Sequence, residues 1–367
     1  MKKMLIKLPV SLPVTYPILV EAGLLQYPSV WLPYNLNFKK IVIITDNNIK
    51  KLYGDDLAKL LIKHGCNVLL LSFAPGEKSK NSLIKQKLEK KMFINQFDKN
   101  TLCLALGGGV VGDLTGFIAA TYMRGIPYIQ IPTSLLAMVD SSIGGKTGIN
   151  TSDGKNLIGS FWQPKAVVVD LNCLKTLPQR HLVNGLIEII KVFLIDDEKY
   201  FLYFQKNINK IKMGDEVVLN NLILRAIKIK ARLVSQDEKE NNQRKMLNFG
   251  HTIGHALEKI SAYKMLHGEA VAFGILVESR ISNLLGILND EDYAGVVDMM
   301  FLLGFSFEKL RKINVNKVIQ ATQLDKKIKQ GEVQYVLLKK IGQVHESKGA
   351  FVHPVVDDIV KQALYDR

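Results

Sequence analysis

The chain has 367 residues, 47% of them hydrophobic, and its 49 Lys and Arg against 34 Asp and Glu give a net charge of +15. This length suggests two domains, and the apolar fraction excludes a wholly disordered chain. The sequence has no uncharged apolar run of about 18 residues, which excludes a membrane-spanning helix.

The N-terminal stretch has lysines before an apolar run, as a signal peptide does. However, the apolar run is interrupted by Lys7 and three prolines, and no small-residue cleavage site follows it. We therefore predict two short strands here instead. The first half then alternates short β-branched runs with helical stretches at 49–64 and 82–93, which is typical of a mostly parallel α/β sheet. The predicted strands span 5–10, 16–20, 40–46, 67–72, 101–107, 128–132 and 166–170.

Beyond residue 177 the apolar residues recur at helical spacing, apart from an alternating stretch at 331–344 that suggests a hairpin. The fold class we predict is therefore α/β, a Rossmann-like parallel-sheet domain at 1–177 followed by a mainly α-helical domain at 178–367. The three cysteines are scattered and odd in number, which argues against a disulfide framework and favours a reducing cytoplasm.

A glycine-rich turn follows the strand predicted at 101–107 and leads into a helix through Gly107, Gly108, Gly109 and Gly112. Glycines let a phosphate approach the backbone, and the helix start offers free N–H groups. The spacing is not GxGxxG, so the turn alone is weak evidence for a dinucleotide. Asp46, Glu77 and Lys80 follow two other predicted strands, and ligands of such sheets bind at the carboxyl ends of strands.

Three histidines and one glutamate form a candidate metal site in the second half. His251 and His255 are four residues apart on one helix face, and His267 stands at a predicted helix start. Glu188 lies within an apolar helical run, where an unpaired carboxylate is costly. Such a set suits zinc or a similar divalent ion with one open position, although the spacing does not decide between His251 and His255.

Basic and polar side chains gather in two further segments. The first segment is rich in glycine and carries or adjoins Arg124, Asp140, Lys146 and Asn156. The second segment lies shortly before the histidines and carries Lys230, Glu240, Arg244 and Asn248. Lysine and arginine together suit a substrate with a carboxylate, a phosphate or both. Because basic residues are otherwise spread along the chain, we expect a small anionic substrate rather than nucleic acid or a membrane.

At this point the sequence closely resembles the 3-dehydroquinate synthase family of sugar-phosphate cyclases. The resemblance rests on PGEKSK, GGGVVGD, MRGIPYIQIPTSLLAMVDSSIGGKTGIN, GLIEIIK, QDEKE, RKMLNFGHTIGHALE, LHGEAVAFG and DKK, which occur in this order between residues 75 and 327. It implies a homodimeric lyase of the shikimate pathway with bound NAD and a divalent metal, zinc or cobalt.

The resemblance also implies a role for each candidate residue. The implied metal ligands are Glu188, His251 and His267, with His255 facing the substrate. The implied NAD contacts are Asp46, Glu77, Lys80, Gly108, Gly109, Val110, Val111, Gly112, Asp113, Thr133, Ser134, Lys146, Lys155, Cys173, Leu174, Lys175 and Thr176.

For the substrate, the resemblance implies phosphate contacts from Lys146, Asn156, His255 and a partner subunit's copy of Arg124. It implies carboxylate contacts from Lys230 and Arg244, and hydroxyl contacts from Asp140, Lys191, Glu240 and Asn248. The implied catalytic set is Asp140, Lys146, Lys191, Glu240 and His255. The implied reaction converts 3-deoxy-D-arabino-heptulosonate 7-phosphate to 3-dehydroquinate by transient oxidation, phosphate elimination, re-reduction, ring opening and aldol closure.

The chain departs from the family pattern at Asn184, where the family has a small residue, and at Val192-Phe193, where it has a Tyr-Gly pair. We expect local repacking of the helix there.

Three alternative functions remain. A metal-dependent polyol dehydrogenase would not need Lys146, Asn156, Lys230 and Arg244 together. A cyclase whose substrate lacks the carboxylate would not need Lys230 and Arg244. A protein without catalytic activity would have no reason to retain a residue of the required type at every proposed catalytic position.

Overall fold

The computed structural model describes residues 14–32, 39–310, 313–323, 328–329 and 332–365. In the first half, the strands are β1 Ile18–Glu21, β2 Lys40–Asp46, β3 Asn67–Phe73, β4 Leu102–Gly107, β5 Tyr128–Pro132, β6 Lys146–Ile149, β7 Ile158–Phe161 and β8 Ala166–Asp170. The helices of this half are α1 Pro28–Trp31, α2 Asn47–Ile49, α3 Asp55–Lys63, α4 Ser82–Ile94 and α5 Gly109–Thr121.

Six of these strands form one parallel sheet in the order β1-β8-β5-β4-β2-β3. Alternate residues of each central strand face opposite sides: Val42 and Ile44 join one apolar cluster, and Ile41 and Ile43 join another. Helices cover both faces, which explains why β4 and β8 are buried along their whole length. The predicted strands at 40–46, 128–132 and 166–170 have these bounds in the structure, and the others that are described differ at their ends.

The second half is mainly helical. Its helices are α6 Gln179–Asp196, α7 Glu198–Lys206, α8 Ile208–Lys212, α9 Glu216–Gln236, α10 His251–Ile260, α11 His267–Leu284, α12 Asp290–Leu302, α13 Phe307–Leu310, α14 Val315–Thr322 and α15 Asp357–Tyr365. Helix α11 packs between α10 and α6 in a continuous apolar core. The predicted fold class is confirmed. No helix in the described ranges is long and apolar enough to cross a bilayer.

Of the strand predictions, one cannot be compared with the structure and one is only partly confirmed. The strand predicted at 5–10 lies outside the described residues. The stretch 331–344 is only partly the expected hairpin, because β11 Leu338–Lys340 pairs with β12 Gln343–Val344, whereas β10 Glu332–Tyr335 pairs with β13 His353–Pro354 and β9 Ile328–Lys329. Alternation along a sequence indicates strands, but it does not identify their partners.

Candidate active site

Glu188, His251 and His267 converge between three helices. The Glu188 carboxylate is 1% exposed, and its Oε1 lies 3.9 Å from His251 Nε2 and 3.6 Å from His267 Nε2. This oxygen has no hydrogen-bond partner in the described structure, although it is buried. The Nδ1–H of His251 donates a hydrogen bond to the Phe249 carbonyl over 3.1 Å, and in this tautomer Nε2 carries the lone pair that can bind a metal. This donor set fits a divalent cation.

The imidazole of His267 has carboxylates on two sides. Its Nδ1 lies 3.6 Å from Glu258 Oε2, on the side away from Glu188. Burial by itself lowers the pKa of His267, but Glu188 and Glu258 outweigh it and raise this pKa to about 10. Against the opposing effect of burial, His267 and Lys155 lower the pKa of Glu258 to about 2. A carboxylate behind a ligating histidine orients its ring, which is the position that Glu258 has here.

His255 belongs to the same cluster. Its ring centroid lies 5.4 Å from that of His251 and 6.2 Å from that of His267. The helix-face prediction for His251 and His255 is therefore confirmed. His255, Glu258 and His267 also form a second group of close donor atoms.

A pair of buried ammonium groups lies beside the ligand set. Lys191, 1% exposed, forms an ion pair with Glu188 one helical turn away. Lys230 on α9 donates to the carboxylate and the backbone carbonyl of Asp140. Although burial opposes it, Lys230 and Lys191 hold the pKa of Asp140 well below its usual range. Burial lowers the pKa of Lys230, with Asp140 opposing the shift.

Arg244 is a buried cation of a different kind, only 3% exposed. Its guanidinium donates to the carbonyl of Glu238 and, over 3.2 Å, to the carbonyl of Gly144. Among the residues that the structure describes, no carboxylate oxygen lies within 4.0 Å of it. Burial lowers the pKa of this guanidinium. A buried cation without an ion-pair partner is poised to accept an anion.

The loop between α9 and α10 carries further predicted residues. Glu240 accepts from Lys146, which is 53% exposed, and from the side-chain amide of Asn248. The loop is held by Asp237, whose carboxylate accepts the backbone N–H groups of residues 241, 242 and 244 at 2.8, 2.7 and 3.1 Å. These bonds lower the pKa of Asp237 although burial opposes them.

The predicted cofactor residues follow the carboxyl ends of parallel strands. Helix α5 begins at Gly109 directly after β4, and no side chain caps it. A Cβ added at Gly112 would lie 2.7 Å from Gln130 Oε1, so the Gln130 side chain would have to shift to admit a larger residue there. Thr133 and Ser134 follow β5, and Cys173, Leu174, Lys175 and Thr176 lie in a short helical segment after β8. A bare helix start with glycines fits a dinucleotide phosphate.

Several of these side chains have protein partners of their own. Asp46 caps the start of α2 by accepting from the backbone N–H groups of Asn48 and Ile49 at 2.8 and 3.1 Å. Glu77 accepts from the Asn150 amide at 2.8 Å. Lys80 pairs with Asp113 and donates to Asn156 Oδ1 at 2.5 Å, which brings a residue predicted for phosphate next to two predicted for NAD. Burial raises the pKa of Asp113, with Lys80 opposing it.

Of three further predicted residues, two form ion pairs and the third is exposed. Arg124 is exposed just beyond the end of α5, opposite its Gly109 start. Lys155 forms an ion pair with Glu258 at 2.9 Å and lies over the Tyr263 ring. Lys175 forms an exposed ion pair with Glu216 at 2.8 Å. None of these contacts tests the roles predicted for them.

Three acidic residues, Glu258, Glu278 and Asp237, were not predicted from the sequence. Glu278 is fully buried in α11, and its carboxylate accepts the backbone N–H groups of Gly250 and Thr252 at 2.8 and 3.2 Å. The sequence could have predicted Glu278, because it is the one acidic residue in the apolar run GILVESRISNLL and needs hydrogen-bond partners there, as Glu188 does in its own helix. Asp237 had no comparable signal, because an acid in a polar loop is ordinary.

Comparisons with known proteins bear on this site. The family described as 3-dehydroquinate synthase N-terminal matches residues 70–184, and the family described as 3-dehydroquinate synthase C-terminal matches residues 185–328. A 3-dehydroquinate synthase of Desulforamulus reducens is 40% identical over 331 residues, covering 90% of this chain and 92% of that protein. One of Ruminiclostridium cellulolyticum is 41% identical over 332 residues, with the same coverage.

A solved structure is similar over nearly the whole chain. It is a 2-epi-5-epi-valiolone synthase from Streptomyces hygroscopicus subsp. jinggangensis with NAD⁺ and Zn²⁺ bound. Its TM-score is 0.88 at 27% sequence identity, and the match covers 98% of each chain.

Proposed function

This chain belongs to the 3-dehydroquinate synthase family, and from that premise we propose how its side chains carry out the reaction. The reaction converts 3-deoxy-D-arabino-heptulosonate 7-phosphate to 3-dehydroquinate and phosphate, so the chain is a phosphate-eliminating carbon–oxygen lyase. Its cofactors are NAD and a divalent metal, as expected from the sequence. The assignments of individual residues below are our proposal.

We assign the metal to Glu188, His251 and His267. The observation that carries this assignment is the buried Glu188 Oε1, which lacks a hydrogen-bond partner in the described structure and faces two imidazole Nε2 atoms. Three protein ligands leave a position open for substrate, as in catalytic zinc sites. Glu258 supports the set by orienting the His267 ring from its Nδ1 side.

NAD binds, in this proposal, at the carboxyl edge of the sheet, with its phosphates at the bare start of α5. The NAD contacts we propose are those implied by the sequence: Asp46, Glu77, Lys80, Asp113, Thr133, Ser134, Lys146, Lys155 and the segment 173–176. When bound, NAD accepts a hydride from the substrate alcohol and later returns it, and the divalent ion polarises the oxygen at the same carbon.

The protein's own groups select one hydroxyl for oxidation and hold the sugar in one conformation. Lys191 donates from its Nζ, and Asp140, kept ionised by its depressed pKa, accepts at its carboxylate. Glu240 and Asn248, already bonded to each other, fix a further hydroxyl. Because these groups are held by neighbours before substrate binds, their orientation costs little when it arrives.

The substrate carboxylate contacts Arg244 and Lys230. Arg244 is the stronger candidate, because its buried guanidinium has no carboxylate partner within the described ranges, whereas Lys230 is already paired with Asp140. Arginine can bind a carboxylate through two parallel hydrogen bonds. A polyol dehydrogenase, or a cyclase whose substrate lacks a carboxylate, has no use for such a cation.

Lys146, Asn156 and His255 bind the substrate phosphate, and a fourth group, the cation Arg124, comes from the partner of a homodimer. The observation that supports a dimer is the position of Arg124, which is exposed just beyond the far end of α5, about 20 Å from Gly109 at the helical rise per residue. An exposed arginine there can reach a neighbouring subunit's site. We also propose a cytoplasmic location, in keeping with the free cysteines.

The test is to follow phosphate release from the seven-carbon phosphate substrate, with and without a chelator, while NADH absorbance is recorded. We expect metal-dependent phosphate release without net accumulation of NADH, because hydride transfer is reversed within each turnover. Accumulation of NADH without release of phosphate would instead identify a dehydrogenase.

A further inference from the structure

The two histidines of the ligand set share an unusual position, since each is the first residue of a helix. His251 begins α10 and His267 begins α11. The first N–H groups of a helix have no acceptors within it and are normally bonded by a capping side chain. Here the residues at the cap positions are Gly250 and Leu266, whose side chains have no oxygen to offer.

Side chains from a neighbouring helix bond both helix starts, and at α11 the helix's own Glu269 also accepts the backbone N–H of Leu266 at 2.9 Å. Asn184 of α6 accepts the backbone N–H of Gly268 at its Oδ1, over 2.6 Å, and Glu278 of α11 accepts the N–H groups at the start of α10. Asn184 is 6% exposed, so this amide has no access to bulk water. Asn184 is also one of the positions where the sequence departs from the family pattern.

The contact is close enough to fix the distance between the two helices. A Cβ added at Gly268 would lie 2.2 Å from the backbone oxygen of Asn184, so the two backbones meet there. Asn184 stands one helical turn before Glu188, on the same face of α6. One turn earlier still, Arg180 pairs with Glu269 at 2.6 and 2.8 Å. Three successive turns of α6 thus contact residues 269, 268 and 267.

We propose that Asn184 is a positioning residue for the metal centre: its side-chain amide caps α11 from outside and sets His267 at ligand distance from Glu188. The inference rests on the proposed metal ligands. Without the cap, the N–H of Gly268 loses its acceptor, and Glu269, which accepts the N–H of Leu266 at 2.9 Å, holds the first turn of α11 without fixing it against α6 beside His267. Arg180 of α6 does not replace the bond to Gly268, because it is exposed and contacts Glu269 rather than His267 or Gly268.

The experiment measures Co²⁺ affinity of the metal-free protein by competition with a chelator, and the visible ligand-field absorption of the bound ion, without substrate or NAD. We expect Asn184→Ala to weaken Co²⁺ binding about 10- to 100-fold, the range for groups that orient metal ligands. Asn184→Asp keeps an acceptor at the same reach and restores the affinity. Asn184→Ser has a shorter acceptor and falls between the two.

A matched control is Asn289, which caps α12 by accepting the N–H of Asp292 at 2.8 Å, without a histidine at that helix start. Asn289→Ala removes a cap of the same chemistry and leaves the Co²⁺ affinity and spectrum unchanged. Wild-type affinity in Asn184→Ala overturns the inference. Where that variant does not fold, equal affinities of Asn184→Asp and Asn184→Ser overturn it.

A second arm separates this inference from the proposed metal centre. Glu188→Gln removes a proposed ligand and should weaken Co²⁺ binding more than Asn184→Ala does. Wild-type affinity in Glu188→Gln contradicts the metal centre itself. A large loss of Co²⁺ affinity in Glu188→Gln together with wild-type affinity in Asn184→Ala would support the metal centre and contradict only the role of Asn184.

Discussion

Replacing Arg244 by methionine removes a buried positive charge while roughly keeping the volume of the side chain. The guanidinium is only 3% exposed and lies 6.0 Å from the centroid of the Phe161 ring, so a bound carboxylate would meet it largely shielded from water. Charge-assisted hydrogen bonds contribute more than neutral ones, and losing this contact should weaken binding by about 2–3 kcal/mol. That corresponds to roughly a 30- to 150-fold increase in Kd.

The free energy of unfolding should change far less. Arg244→Met removes donors from the carbonyls of Glu238 and Gly144, at about 1 kcal/mol each. It also removes a buried charge that has no carboxylate within ion-pair distance in the described structure, which offsets that loss. A net change below about 2 kcal/mol follows, so weaker binding could not be attributed to unfolded protein.

The assay compares two ligands by calorimetry, using the natural substrate with metal present and NAD absent, and a hexose 6-phosphate that has no carboxylate. We expect Arg244→Met to weaken binding of the first ligand and leave the second unchanged. The control is Lys245→Ala, which removes a neighbouring, partly exposed cation and should affect neither. Equal losses for both ligands, or no loss for the natural substrate, would refute the assignment of the carboxylate.

Three further predictions follow from buried or loop side chains. Phe193→Ala should lower the free energy of unfolding by about 3–5 kcal/mol in urea titrations, because the ring is fully buried; a loss below 1 kcal/mol would contradict the repacking of this helix around it. Burial raises the pKa of Cys103 and Cys173 to about 12 and also raises that of Cys66. Cys103 and Cys173 are buried as well, so these two thiols are protonated and out of reach of a reagent at pH 8. A thiol reagent should therefore modify only the partly exposed Cys66 in native protein and all three in denaturant; rapid modification of three native thiols would show that the core opens. Asp237→Ala should raise KM about 10-fold by freeing the loop that carries Arg244, measured as initial rates of phosphate release, and an unchanged KM would remove that role. Because its folded pKa is depressed, Asp237 stabilises the loop above its ordinary pKa of 3.8, and this contribution is lost as the pH falls through the folded value.

Local patterns in the sequence predicted the elements that depend on local causes. Uninterrupted β-branched runs predicted β2, β5 and β8 because strands of a covered parallel sheet are apolar on both faces. A spacing of four residues put His251 and His255 on one helix face, since a helix turns every 3.6 residues. Glu188 was found because a carboxylate in an apolar helix requires a partner.

The sequence alone did not determine which groups meet across the fold. Asn184 and Gly268 are 84 residues apart, Arg244 and Gly144 are 100 apart, and Lys230 and Asp140 are 90 apart. Each contact depends on how segments far apart in the sequence pack together, and side-chain periodicity indicates a buried face without identifying its neighbour. The sequence thus determined which residues must be buried or bonded. Only the tertiary structure decided that Lys230 forms an ion pair with a carboxylate while Arg244 has no carboxylate partner among the described residues, because charge pairing depends on distance in space.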